Sequence, residues 1–303
     1  MRSSVIIALL VGALVCIATL GIEGMPNNKE QRKFWAFFEE AKLLVSRNGL
    51  IPKWNGSVAL CVYGKPTDNF TKDVVNRFGF SISTLSHISL ETEWRTDIND
   101  CSAATNIFMW IQQGRVSRSE LTSNYERASD ISQVRADISE PTLYQSAFAQ
   151  TGFLSDGKSG IVAILINQIS DKRSKIGDQF LEANILEELF HAASITADLE
   201  YEGVQRSILE EKFVHTSSIW RGIYNESEAE KYLASRPKGL CEWDIKLLVA
   251  LYGIRSTDDT LASHKEAYET STEEVDRKFA DTKAAFESSR LFDDKCDHSI
   301  EKK

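Results

Sequence analysis

The sequence is poor in the features that mark several large classes of protein. Among 303 residues there are only five prolines and 16 glycines, which excludes collagen-like and low-complexity chains. Basic residues are outnumbered by acidic ones. The resulting net charge of -9 argues against nucleic acid as the main partner, because phosphate backbones bind basic surfaces. What remains is an ordinary globular composition, 42% hydrophobic and 26% charged.

Several catalytic signatures are also missing. The sequence contains no Gly-x-Ser-x-Gly elbow and no glycine-rich phosphate loop, so a serine hydrolase of that type and a phosphate-loop nucleotide site are excluded. It contains no Cys-x-x-Cys pair either, which disfavours a cysteine zinc site and a thioredoxin-like redox pair. Any chemistry must come from a less familiar arrangement.

Residues 1–24 have the pattern of a secretory signal peptide. A positively charged start precedes an uncharged apolar run over residues 5–20, and small residues follow. The run is shorter than the roughly 20 apolar residues that cross a bilayer. We therefore expect cleavage near residues 21–24 and a secreted or periplasmic mature chain without a membrane span. The alternative is an uncleaved anchor helix.

Export would leave an even number of cysteines in an oxidising compartment, where disulfides form. Pairing nearest neighbours in sequence closes the smallest loops and joins Cys61 to Cys101 and Cys241 to Cys296. The other connectivities stay open, and so do four buried free thiols.

Hydrophobic periodicity predicts an α+β fold. Helices are expected at 27–47, 72–86, 117–135, 177–196, 226–234 and 242–252, and strands at 57–64, 88–94, 106–111 and 159–167. We assign residues 27–253 to one domain. Residues 254–303 form a helical tail with a narrow apolar seam, expected to pack on the domain; a dimerising coil is the alternative.

The clearest chemical pattern is Glu-Glu-Leu-Phe-His at residues 187–191. On a helix, Glu187 and His191 are one turn apart on the same face. This is the spacing of the zinc motif His-Glu-x-x-His, with Glu187 in place of the first histidine. Carboxylates also bind zinc, so Glu187, His191 and Asp198 are the candidate metal ligands and Glu188 the candidate catalytic base. The alternative is a plain pair on a helix surface.

Four motifs, in consistent order, resemble those of domain-of-unknown-function family 2927, a group of exported bacterial proteins of which several are described as lipoproteins. They are Pro52-Lys53-Trp54 before the first strand, Ala104-Thr-Asn-Ile-Phe-Met109, the Glu187–Ile195 segment, and Asp244-Ile-Lys-Leu-Leu-Val-Ala-Leu-Tyr252. The last, continued by Gly253, also resembles the closing helix of matrix metalloproteinase and serralysin catalytic domains. In this sequence His191 stands where the family usually has Gln, and Ser194 replaces its Gly.

The resemblance implies a zincin-like fold with a mixed sheet and an active-site-type helix whose zinc ligands have largely been lost. It favours a non-catalytic binding or envelope component with no cofactor. One alternative is a divergent metal-dependent, peptidase-like hydrolase with zinc as its cofactor. Another is an unrelated secreted α+β binding domain. The sequence alone leaves open whether the chain is an enzyme.

Overall fold

The computed structural model describes most of the chain from the first helix onward. The described residues are 28–43, 49–65, 68–113, 116–134, 147–153, 160–168, 174–196, 198–200, 206–211, 225–234, 236–294 and 296. The expected signal peptide therefore lies outside them. Backbone contacts divide the chain into two compact units, residues 1–39 and residues 40–303.

Helices and strands alternate in the first half of the chain, and helices dominate the second half. The strands are β1 Gly56–Gly64, β2 Ile88–Trp94, β3 Ile107–Gln113, β4 Ala147–Phe153, β5 Gly160–Gln168, β6 Leu199–Glu200 and β7 Glu210–Glu211. The helices are α1 Asn28–Leu43, α2 Asn69–Ile82, α3 Arg118–Ser132, α4 Lys175–Ser194, α5 Glu226–Ala234, α6 Glu242–Leu248, α7 Leu261–Thr270 and α8 Thr272–Ser288. A π-helical turn, Val249–Gly253, continues α6.

Five strands form one mixed sheet in the order β2-β1-β3-β5-β4. Strands β2, β1, β3 and β5 run parallel, and β4 pairs with β5 antiparallel. The short strands β6 and β7 form a separate parallel pair. The expected α+β class with a mixed sheet is thus confirmed.

The central strands β1, β3 and β5 are buried on both faces over most of their length. Cys61, Phe108 and Ile161 on one face cluster with Tyr125 of α3, while the alternate strand residues, such as Met109, are also buried. Helices α2 and α4 contact each other, and α4 also contacts β4 and β5. Burial on both faces explains why β5 reads as a continuous apolar run rather than an alternating one.

The structure differs from the expectation in three places. The two-residue strands β6 and β7 have no counterpart among the predicted strands. Strand β4 was not predicted, because the sequence Ala-Phe-Ala-Gln-Thr-Gly-Phe over residues 147–153 has weak strand character. The tail holds two helices instead of one, since α7 ends at Thr270 and α8 begins at Thr272. Helix α8 contacts α2, α6 and the π-helical turn, as expected for a tail that packs on the domain.

Both disulfides join the cysteines that are nearest in sequence. Cys61 on β1 is bonded to Cys101, and Cys241 before α6 is bonded to Cys296. Crosslinks of this kind typically stabilise a fold by about 2 to 4 kcal/mol, in the chain-entropy model by restricting the unfolded chain. The expected pairing is therefore present, while export itself stays a prediction.

Candidate functional site

Helix α4, which carries the candidate residues, is surrounded by protein over most of its length. Every residue from Phe180 to Ser194 is buried except Glu182. Glu187, Glu188 and His191 are only 5%, 6% and 8% exposed. The interpretation of Glu187 and His191 as a surface pair is therefore wrong. Since buried charges are costly unless they are paired, each of these side chains requires partners within the fold.

The end of α4 is held by Lys42, which is 2% exposed. Its ammonium group donates to the backbone carbonyls of Pro52 at 2.9 Å, Ile195 at 3.0 Å and Ser194. The last carbonyls of a helix have no partner within it, so a donor at this position satisfies groups that would otherwise be buried unpaired. Burial, assisted by the charge of Lys53, lowers the pKa of Lys42 well below its ordinary value.

Two residues from the resemblance motifs complete this cap. The indole N–H of Trp54 donates to Ala192 O at 2.7 Å, and the hydroxyl of Tyr252 donates to Ala193 O at 2.6 Å. The Tyr252 oxygen in turn accepts a hydrogen bond from the backbone N–H of Trp54 at 3.2 Å. The Lys-Trp and Leu-Tyr-Gly motifs thus meet at the carboxyl end of the helix that carries Glu187 and His191.

The chain leaves α4 through a left-handed residue at Ile195, whose φ is 52°. A β-branched residue is rarely found in this region, and such a conformation costs about 1 to 3 kcal/mol. The Ile195 N–H donates to His191 O at 2.7 Å, and Lys42 binds the Ile195 carbonyl. These bonds hold the turn that directs the following residues back toward His191.

Glu187 is bound by a cation and a hydroxyl from the region of α5. Its carboxylate forms an ion pair with Arg236, in which both side chains are nearly buried. The hydroxyl of Tyr232 lies 3.3 Å from the second carboxylate oxygen and 3.4 Å from Asn184 Oδ1. The guanidinium carbon of Arg236 stands 4.7 Å from the centre of the Tyr232 ring. Burial lowers the pKa of Arg236 to about 9, so it is charged at neutral pH.

His191 is bound through both ring nitrogens. Its Nδ1 lies 3.0 Å from Thr196 O, and its Nε2 lies 2.9 Å from Asp198 Oδ1. Burial lowers the pKa of His191, but the charge and hydrogen bond of Asp198, with the charge of Glu188, outweigh burial and raise it to about 10. Burial tends to raise the pKa of Asp198, but the charge of His191 lowers it overall. At neutral pH the pair is an imidazolium and a carboxylate.

Another buried carboxylate, Asp244, fixes the segment beside this site. It accepts hydrogen bonds from the Ser207 hydroxyl, from Ile208 N at 2.9 Å and from Cys241 N at 2.7 Å. Arg236 also lies 3.4 Å from the Ile208 carbonyl. Burial raises the pKa of Asp244 to about 7, although these hydrogen bonds oppose the rise. Asp244, the first residue of the last resemblance motif, therefore positions the backbone that faces Arg236.

The three candidate ligands are close together. Glu187, His191 and Asp198 each offer an atom within 4.8 Å of the others, so by distance they form a group that could hold a metal ion. A second such group, Cys61, Glu93 and Cys101, has both sulfurs in a disulfide.

The charges around the first group do not fit a zinc ion as they are arranged. Zinc is ligated by carboxylates at about 2 Å. An ion bound to Glu187 would thus lie within a few ångströms of the Arg236 guanidinium and be repelled by it. Zinc also requires a neutral imidazole, so it would have to displace the proton that Asp198 stabilises on His191.

Sequence reasoning named three side chains that the structure brings close together, but it missed the groups that surround them and hold their helix. Arg236 and Tyr232 lie 49 and 45 positions from Glu187, and Lys42 lies 152 positions from Ser194. No local spacing links them. The one usable signal was indirect: once α4 is placed inside the fold, a buried Glu187 demands a cation.

No family model, curated protein or solved structure matches this chain. The resemblance to domain-of-unknown-function family 2927 and to zincins therefore stays a prediction. Within the part of the chain that the structure describes, none of the helices has the length and apolar character needed to cross a membrane.

Proposed function

We propose that the chain is an exported, zincin-like protein that performs no hydrolysis and acts as a binding component of the cell envelope or the secreted fraction. Two features of the fold support the zincin-like part. The sheet is mixed, and the helix with the Glu-Glu-x-x-His segment packs on strands β4 and β5 of that sheet. This is the arrangement that the resemblance implies for an active-site-type helix.

The observation that carries the absence of hydrolysis is the ion pair between Glu187 and Arg236. It places a fixed positive charge of the protein at the carboxylate that would replace the first zinc-binding histidine. An arginine neutralises that carboxylate but cannot polarise a carbonyl or a water molecule as an open metal site does. Glu188 then has no metal-bound water to deprotonate. The helix keeps the geometry of an active-site-type helix but does not catalyse hydrolysis.

A metal-dependent hydrolase is the second candidate, and one observation favours it. The donor atoms of Glu187, His191 and Asp198 lie within 4.8 Å of one another. In that case Glu188 would be the base that activates water. Two carboxylate ligands would, however, weaken the metal as a Lewis acid, because their negative charge makes bound water less acidic.

Zinc analysis of the purified mature protein separates the two candidates. After removal of metal with a chelator, the protein is dialysed against micromolar zinc, and its metal content is measured alongside that of His191→Ala. We expect no bound zinc in either protein. One zinc ion per wild-type chain, lost in His191→Ala and accompanied by peptide hydrolysis, would establish the hydrolase instead.

The export part of the proposal has its own measurement. Intact-mass analysis of the protein recovered from its native host should show a start near Ile22 or Met25 and four oxidised cysteines. A mass that still includes residue 1 would contradict cleavage. Four thiols that react with an alkylating reagent without prior reduction would contradict the oxidising compartment.

A further inference from the structure

Arg236 is an unusual neighbour for a group of candidate metal ligands. Its side chain is 10% exposed and that of Glu187 is 6% exposed, so their ion pair is sealed inside the protein. Tyr232 stacks on the guanidinium and approaches Glu187. Asp244 binds the backbone N–H of Ile208. The Ile208 carbonyl oxygen lies 3.4 Å from the guanidinium nitrogen of Arg236 that also binds Glu187. The arginine is thus positioned by several elements at once.

The positive charge of Arg236 determines whether Glu187 can bind a metal ion. A cation bound to Glu187 and the guanidinium of Arg236 would lie at the same carboxylate. Buried like charges repel more strongly than exposed ones, because the surroundings screen them poorly. Metal and arginine therefore compete for one carboxylate, and only one of them can satisfy it.

We infer that Arg236 is a built-in substitute for a divalent metal ion, and that Glu187, His191 and Asp198 form a latent metal site which opens when the charge of Arg236 is removed. This inference rests on the proposed function, because it explains why the wild-type protein binds no metal in that proposal. It also goes further, since it assigns a ligand class to the three side chains and names the residue that blocks it.

The donor set defines the ions that the latent site would take. One imidazole and two carboxylates suit borderline divalent ions such as zinc and cobalt. Thr196 O, at 3.0 Å from His191 Nδ1, would hold the ring with Nε2 toward the ion. A backbone carbonyl is a usual outer partner of a metal-binding histidine. The latent site therefore has an outer hydrogen bond already in place.

The test is zinc and cobalt binding by Arg236→Met, a neutral variant with a long side chain. Binding is measured by competition with a chromophoric chelator, and the visible spectrum of bound cobalt reports its coordination. We expect one ion per chain and an affinity at least about 100-fold above that of wild type, because a buried like charge has been removed. The cobalt spectrum should show a low-symmetry site with nitrogen and oxygen ligands.

Two controls connect the gain to the three ligands. Adding His191→Ala to Arg236→Met should abolish the new binding. Arg277→Met should bind no more metal than wild type, because Arg277 forms only an exposed pair with Glu274 at 3.9 Å. Equal zinc affinity of wild type and a folded Arg236→Met would overturn the inference, and so would new binding that survives loss of His191.

Arg236→Met leaves Glu187 without its cation and can unfold in the absence of metal. In that case thermal unfolding is followed with and without zinc. Zinc should then restore a cooperative transition in Arg236→Met but not in the variant that also carries His191→Ala. A protein that stays unfolded at saturating zinc would overturn the inference as well.

These results are distinguishable from a failure of the proposed function. Stoichiometric zinc in wild type refutes a metal-free role, whatever the variant does. A wild type that binds zinc, with Arg236→Met binding at least about 100-fold more tightly, keeps Arg236 as the competitor. A metal-free wild type with a metal-free, folded Arg236→Met keeps the proposed function and removes the latent site.

Discussion

Two ion pairs stand on the same helix, and their surroundings differ. In the inner pair, Glu187 and Arg236 are both nearly buried, with side chains 6% and 10% exposed. In the outer pair, the side chain of His191 is 10% exposed but that of Asp198 is 46% exposed. Solvent screens the outer pair and leaves the inner one unscreened. The inner pair should therefore contribute to whether the chain folds, and the outer pair to how its stability depends on pH.

The largest expected effect comes from breaking the inner pair. Arg236→Met leaves a buried carboxylate without its cation, and such a loss typically costs about 3 to 5 kcal/mol. The free energy of unfolding is measured in urea at neutral pH with a chelator present, so that metal cannot replace the arginine. Arg277→Met is the matched control and should lose at most about 1 kcal/mol, because its ion pair is exposed.

A double variant sharpens this result. Glu187→Gln combined with Arg236→Met removes both charges together, and a buried pair replaced in this way is often nearly neutral. Its free energy of unfolding should return to within about 2 kcal/mol of wild type. If Arg236→Met alone is as stable as Arg277→Met, the inner pair is not sealed from water as the structure shows.

The outer pair predicts a pH dependence of intermediate size. The pKa of His191 is about 10 in the folded protein and about 6.5 when the chain is unfolded. Its stabilising contribution is fully present below pH 6.5 and is lost as the pH rises toward 10. The melting temperature of wild type should therefore fall across this range relative to His191→Gln, whose side chain stays polar and does not titrate.

The comparison of wild type with His191→Gln isolates this histidine. Lys42, whose pKa is lowered by burial, titrates in both proteins and cancels in the difference. The lowered pKa of Asp198 means that its contribution is lost only on acidification, below the range studied. Parallel curves for the two proteins between neutral and alkaline pH would show that the outer pair does not form.

The smallest effect concerns the hydroxyl that supports the inner pair. Tyr232→Phe removes the group 3.3 Å from Glu187 and 3.4 Å from Asn184, while the ring beside Phe180 and Arg236 remains. We expect a loss of about 0.5 to 1.5 kcal/mol in urea unfolding, the usual worth of one hydrogen bond. A loss as large as that of Arg236→Met would show that the Tyr232 hydroxyl stabilises Glu187 as much as the guanidinium does.

Local sequence patterns were enough for most of the elements and for the proximity of Glu187, His191 and Asp198. The i, i+4 spacing of Glu187 and His191 depends only on helix geometry. Asp198 follows in the chain shortly after the helix ends at Ser194. Local patterns failed where the tertiary environment decides. A segment with two adjacent glutamates is typical of a surface helix, yet α4 is buried from Phe180 to Ser194 except at Glu182. Arg236 comes from a distant loop, and no period in the sequence connects it with Glu187.

The cap on α4 affects the order in which parts of the protein fold during synthesis. Its donors come from Lys42 and Trp54, which precede the helix, and from Tyr252, which follows it by almost sixty residues. During synthesis the first two are available when α4 emerges, but the Ala193 carbonyl must wait for Tyr252. Contacts between segments so distant in sequence form slowly, because a long loop must close first. The carboxyl end of α4, next to His191, is therefore complete only when the segment carrying Tyr252 has docked. A chain truncated before that residue would contain Glu187, His191 and Asp198 but lack one of the bonds that hold their helix in place.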